Sequence, residues 1–175
     1  ERQCYQFGHD TINIRPLLEG ERMNSDVELI VFIVREVSIQ NNLVDYIKSF
    51  FEEKDLMFID TIIFNSKVSA KMTLDARGGN WSATEIDRLS GGPAGLIAFL
   101  DPFPSKIFFN GRGVNLHYYR SNRVYSYKDE LRKILSNKIK SVTTLNFLHS
   151  PDDEQESLDY LDMISTKDRK AIMSK

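Results

Sequence analysis

Much of what would send this chain toward a disulfide scaffold, a membrane or nucleic acid is missing. With one cysteine among 175 residues, Cys4, no internal disulfide can form, and no Cys/His cluster stands at zinc-ligand spacing. A reducing compartment follows, and the cytoplasm is the expected location. The longest apolar run, Leu29 to Val34, falls far short of the roughly 20 residues a bilayer-spanning helix needs, so no membrane span is expected. The polar start Glu1-Arg2-Gln3 is unlike a signal peptide, and a first residue other than methionine is expected of a segment cut from something longer. Nor does either charge dominate: 23 Lys and Arg stand against 25 Asp and Glu, a formal net charge of -2. That balance gives no basic field for counterion-driven nucleic-acid binding. No repeat and no low-complexity stretch interrupts the chain.

What is present suffices for one core. Hydrophobic residues make up 41% of the chain and aromatic residues 11%, which fits a single domain better than two. Residues 1–26 are mixed and polar and read as an N-terminal arm. The nearly continuous, β-branched stretch 27–34 predicts a central strand covered on both faces. Leu43, Val44, Ile47, Phe50 and Phe51 recur at spacings of three and four and predict an amphipathic helix over 41–53. A strand follows at 56–64, then a helix over 66–76 stopped by Gly78-Gly79. A turn at Ser90-Gly91-Gly92-Pro93 leads into a strand over 94–100.

The segment 106–127 is dense in aromatics around Asn110-Gly111-Arg112-Gly113, and reads as a hairpin or an ordered loop. Its arginines and His117 also suit a stacking platform or a subunit interface. A helix over 128–140, a strand over 143–148 and a helix over 153–164 complete the domain. Residues 165–175 read as a flexible charged tail. Strands alternating with crossover helices predict an α/β (α+β) sandwich of the ferredoxin-like split βαβ kind, a four-stranded antiparallel sheet covered by helices on one face.

The residue best suited to chemistry is His149, where a short apolar strand ends in an imidazole and runs into an acidic helix start. A neutral ring nitrogen open at a strand end, with hydroxyl and carboxylate groups gathered round it, is what a phosphoryl acceptor requires; the plain alternative is a loop histidine held by hydrogen bonds. Ala76-Arg77-Gly78-Gly79-Asn80-Trp81 is the most unusual local sequence. Its glycines let backbone amides approach an anion, Arg77 adds charge, and Trp81 is either a base-stacking plate or a core filler. Ser90-Gly91-Gly92-Pro93 precedes a strand and is a turn, not a phosphate cradle. The acidic run Asp152, Asp153, Glu154 and Glu156 suits a helix start through the dipole.

Four places together resemble the nucleoside diphosphate kinase fold family. The strand ending Ile33-Val34-Arg35-Glu36-Val37 and the helix from Leu43-Val44 keep that family's opening spacing. Phe50-Phe51-Glu52-Glu53-Lys54 is similar to its Phe-Glu-x-Lys-Gly. Ser90-Gly91-Gly92-Pro93 is similar to its Ser-Gly-Pro. Asn146-Phe147-Leu148-His149-Ser150-Pro151-Asp152, followed by Glu156-Ser157, is similar to its Asn-x-x-His-Gly-Ser-Asp and Glu-Ser.

The resemblance spans residues 27–164 and implies a divergent nucleoside diphosphate kinase-like domain. It departs from the family in four respects. The phosphate-binding Lys is Arg35, a planar fork in place of a point charge. Pro151 replaces a serine, with Ser150 one place early. The Glu that orients the histidine has no clear counterpart. The segment 106–127 replaces the stretch that supplies phosphate contacts.

The resemblance implies a nucleoside di- or triphosphate as partner and Mg2+ carried with the nucleotide. His149 would take the phosphoryl group, with Arg35, Arg77 and either Arg132 or Lys133 on the phosphates. Asn146 would touch sugar or phosphate, Trp81 the base, and Ser150 and Asp152 would support. Such a transferase works through a phosphohistidine. The alternative is a non-catalytic module of the same fold, acting in nucleotide sensing or protein assembly within a larger chain; either form is compatible with a homo-oligomer.

Overall fold

The computed structural model describes residues 4–7, 10–13, 27–77, 79–110 and 117–174, with side chains described over 27–77, 79–105 and 123–174. The turn at 111–113, Gly78 and most of the 1–26 arm lie outside the described residues. Within that arm, β1 (Cys4–Phe7) and β2 (Asp10–Asn13) pair antiparallel.

β3 (Glu28–Arg35) is buried at all eight positions, as its unbroken apolarity requires. α1 (Glu36–Gln40) and α2 (Val44–Glu52) follow, and α2 buries Ile47, Phe50 and Phe51 from its apolar stripe. Next come β4 (Met57–Ile63), then α3 (Ser66–Asp75), whose Asn65 side chain accepts the Val68 amide as N-cap. α4 (Glu85–Ser90) and β5 (Pro93–Asp101) lead to the hairpin of β6 (Lys106–Asn110) and β7 (His117–Ser121). The long α5 (Asn122–Lys138), β8 (Leu148–His149), α6 (Glu154–Met163) and α7 (Thr166–Met173) complete the chain.

The four-stranded sheet runs β4-β5-β3-β8 and every pair in it is antiparallel. Taken with α2 and α5 as crossovers, this is the ferredoxin-like split βαβ arrangement. The two faces of β3 found two cores. Ile30, Phe32 and Val34 face Phe51, Leu131 and Leu135 from α2 and α5, with Phe32 stacked on Phe51 at 4.3 Å between centroids. Leu29, Val31 and Ile33 face Met72, Tyr160, Leu161 and Ile172 from α3, α6 and α7. Helices therefore cover both faces, not one. Among the described residues no helix is long and apolar enough to cross a membrane.

Four local readings change. The fourth strand is two residues long, because the backbone over 143–147 serves as a wall of the site described below. α5 begins at Asn122, so Tyr125 and Tyr127 belong to a helix and not to the aromatic hairpin. Residues 85–90, just ahead of the expected turn at 90–93, form a short helix to which the sequence reading assigned no element, and the cause is a capping box: the Thr84 side chain accepts the Asp87 amide while the Asp87 carboxylate accepts the Thr84 amide. The tail forms α7 instead of fraying, since Ser165 caps it and Ile172, 1% exposed, docks into the second core. Charged residues on its outer face hid that anchor and the partly buried Met173 beside it.

Candidate functional site

The site lies where β3 and β8 end side by side. His149 pairs with Ile33 and so shares the face occupied by α3 and α6. A register shift between Val34 and Arg35 turns the strand end toward residues 79–91. These elements border a cleft of about 360 Å3 whose walls include Arg35, Asn80, Trp81, Asp87, Arg132, Asn146 and His149.

Arg35 is 4% exposed, and its guanidinium is fully engaged by protein. Nε donates to the Gly91 carbonyl at 2.7 Å, and Nη1 donates to Asp87 Oδ1 at 3.1 Å and to the Asn80 carbonyl at 3.5 Å. Nη2 donates to the carbonyls of Trp81 at 3.1 Å and Asp87 at 2.8 Å. The planar guanidinium binds the 79–91 segment to β3, which leaves no donor for a phosphate.

Trp81 is 8% exposed and is a wall, not a stacking plate. The Arg35 guanidinium lies 5.2 Å from its ring centroid, and the His149 ring meets it edge-on at 5.8 Å. Its six-membered ring and Nε1 press against Gly79 so closely that a Cβ there would overlap the indole. Gly79→Ala should therefore cost about 1–3 kcal/mol of stability through overpacking, read from the urea midpoint, with Trp81 fluorescence reporting the displaced ring. An unchanged midpoint would mean the contact is loose.

His149 is a neutral imidazole held in place. Burial first, then the positive charges of Lys128 and Arg132, push its pKa from 6.5 to about 3, against the pull of a hydrogen bond to the Arg77 main chain. Nε2 is buried and without a partner. Tyr160 packs on the other side, 6.2 Å away between centroids.

Arg132 reaches round the β8 edge from α5, donating from Nη2 to the Leu148 carbonyl at 2.8 Å; its Nε is buried without a partner. Trp81 Nε1 is likewise a buried, unpartnered donor. Buried polar groups without partners are rare and each calls for an explanation, and here three of them border one cleft.

Other sequence-selected residues are placed elsewhere. Arg77, 59% exposed in its side chain, turns to Asp152 at 3.7 Å and Glu156 at 3.5 Å. Lys133 is exposed and outside the cleft wall. Ser150 is buried and accepts from Lys128 Nζ at 2.8 Å. Asp152 is half-buried, and its amide donates to Glu156 Oε2 at 2.6 Å. The structure thus brings together Arg35, Trp81, Arg132, Asn146 and His149, and leaves Arg77, Lys133, Ser150 and Asp152 outside the wall.

Two residues at the site escaped the sequence reading. Lys128 is buried beneath the histidine's strand end, and nothing in its local pattern distinguishes it from a surface lysine. Asp87 is the other, and here a signal existed in the Thr84-Glu85-Ile86-Asp87 capping pattern. Burial alone would raise the Asp87 pKa, but hydrogen bonds from Thr84, Arg35 and Asn146 hold it below the usual carboxylate range.

The residues present do not form a cage for Mg2+. Among the described residues no cluster of three or more His, Cys, Asp or Glu stands ready for a metal, and both oxygens of the cleft's Asp87 already accept hydrogen bonds.

Fold and site define an α+β ferredoxin-like domain with a polar cleft at the ends of two adjacent strands. No family model matches the chain, and no curated protein sequence matches it. Among solved structures it aligns with a nucleoside diphosphate kinase of Aquifex aeolicus at 13% identity and a TM-score of 0.42, covering 81% of this chain and 97% of that one.

Proposed function

We propose that the cleft is a binding site for a phosphate-bearing small molecule, a nucleoside di- or triphosphate, in a domain that holds its ligand without transferring the phosphoryl group. The observation that carries the reading is the set of unpartnered N–H donors, Arg132 Nε and Trp81 Nε1, buried in the wall of one polar cleft. Donors without acceptors suit an anion, and Arg132 adds the charge.

Transfer is disfavoured by the same geometry. Arg35, the cation expected on the phosphates, is spent on protein carbonyls and Asp87, and its five N–H groups all have protein acceptors. The second reading, phosphoryl transfer, draws on one feature: the imidazole stays neutral in the whole physiological range. In that reading a ring nitrogen bonds to the terminal phosphorus as the bridging P–O bond breaks, and the nucleoside diphosphate departs with the bridging oxygen's electron pair.

One experiment separates the two. With a nucleotide panel at 100 times Kd, the protein should gain about 2.7 kcal/mol of stability, and Arg132→Gln should lose most of that gain. No acid-labile phosphate should be taken up from radiolabelled ATP or GTP. Label that appears in the wild type and disappears in His149→Ala would establish transfer, and no stabilisation by any nucleotide would end the binding proposal.

A further inference from the structure

The cleft has aromatic walls but no open aromatic face. Trp81 is 8% exposed, with the Arg35 guanidinium over its ring and His149 meeting it edge-on. The His149 ring lies in turn against Tyr160. Among the described residues no other aromatic side chain borders the cleft. Of the aliphatic walls, Leu148 is fully buried, and Ile86, 37% exposed, has no flat face. A nucleobase gains its affinity by stacking on an accessible ring, and none of these walls supplies one.

What the wall does supply is hydrogen-bond donors. Trp81 Nε1 and Arg132 Nε are buried N–H groups with no acceptor, and neither nitrogen can itself accept. Gly79 is the part of the wall beside the indole nitrogen, and its bare backbone keeps that nitrogen uncovered, since a Cβ there would fall on Nε1. Charge points the same way. Arg35 and Asp87 face each other at 3.1 Å and cancel. Arg132 gives one bond to the Leu148 carbonyl and pairs with Asp129 only at 3.8 Å, so its positive charge is the one left to the cleft. A wall of donors and a single cation matches oxyanions, whereas the edge of a base presents acceptors and donors together.

We infer that the site reads the phosphate chain of its ligand and leaves the nucleoside unread, so that inorganic pyrophosphate binds as well as a nucleoside diphosphate. The indole of Trp81 serves as a phosphate donor through Nε1 and not as a support for a base. This rests on the nucleotide-binding proposal for the anion, and on the burial of Trp81 for the missing base contact.

The test is a calorimetric titration of the wild-type protein with pyrophosphate and with ADP, at one neutral pH and without added divalent cation. ADP should not be favoured over pyrophosphate by more than about fivefold, whereas a stacked base would favour it by more than that, up to roughly 150-fold. A larger preference for ADP, or ADP bound without pyrophosphate, overturns the inference and leaves nucleotide binding standing. Pyrophosphate bound without ADP upholds the phosphate-only site and ends the nucleotide reading. Failure of both ligands to bind ends both.

A second measurement reads the donor itself. Trp81 is the only tryptophan of the chain, so its indole N–H gives a single resonance in a 15N-edited NMR spectrum. Saturation with pyrophosphate should move that resonance downfield and slow its exchange with water, as a new hydrogen bond to a charged oxygen requires. An indole N–H that stays in place while pyrophosphate binds overturns the assignment of Trp81 as a phosphate donor.

Discussion

Arg35→Ala is expected to lower stability by about 3–5 kcal/mol, the usual result of removing one partner from a buried ion pair. The size follows from what is left behind. Asp87 remains buried and charged, and the carbonyls of Gly91, Trp81 and Asp87 lose their donor together. Burial lowers the Arg35 pKa, against the pull of Asp87, but the guanidinium stays charged at any pH the fold experiences. Urea unfolding should show the midpoint falling with an unchanged slope. Arg35→Lys should recover only part of the loss, since one ammonium cannot reach the Asp87 carboxylate and the flanking carbonyls at once. A loss of under about 1 kcal/mol, typical of an exposed pair, would show that Asp87 finds water or another partner.

Acid should unfold the protein partly through His149. The folded pKa of about 3 lies below the 6.5 of the free side chain, so between those limits the unfolded chain binds the extra proton and stability rises with pH. The contribution is complete above pH 6.5, and is lost at about 1.4 kcal/mol per pH unit as the pH falls toward the folded value. Asp87, depressed in the folded state, adds loss of the same sign in stronger acid, whereas Glu156, raised chiefly by burial, acts in the opposite direction. Comparison with His149→Phe isolates the imidazole: between pH 7 and pH 5 wild type should lose about 2 kcal/mol more than the variant. Parallel pH profiles would mean that the ring accepts its proton freely, and so opens to water.

The patterns that depend on neighbours in sequence were legible. The apolarity of 28–35, the stripe through Ile47, Phe50 and Phe51, and the alternation of strands with crossovers each follow from periodicity, and each appears in the structure. The exceptions are instructive. α7 reads as a charged tail because its anchor is confined to the adjacent Ile172 and Met173. The 143–147 stretch reads as strand from composition, but its backbone is drawn into side-chain bonds: Leu145 N to Ser136 Oγ and Asn146 N to Ser90 Oγ. Local propensity had no access to either serine.

At the site, the sequence offered candidates and packing decided where each one lies. Arg35, Trp81, Arg132, Asn146 and His149 do converge on one cleft, although they come from four separated parts of the chain. Whether an arginine serves a ligand or its own protein depends on which acceptors lie within 3 Å or so, a distance set by packing. For Arg35 those acceptors are residues 80–91, whereas Arg77 makes longer ion pairs with Asp152, just before α6, and Glu156 on it.

The amino-acid order alone determined the central buried strand, the amphipathic α2 and the alternation of strands with crossover helices, because hydrophobic periodicity is a short-range property and burial of the apolar face follows from it. Only the tertiary structure decided which of the cations are occupied by protein, that one carboxylate, Asp87, accepts from both Arg35 and Asn146, and that burial holds the imidazole neutral. Hydrogen-bond partnership and desolvation arise between residues distant in sequence, and they exist only once the chain has packed.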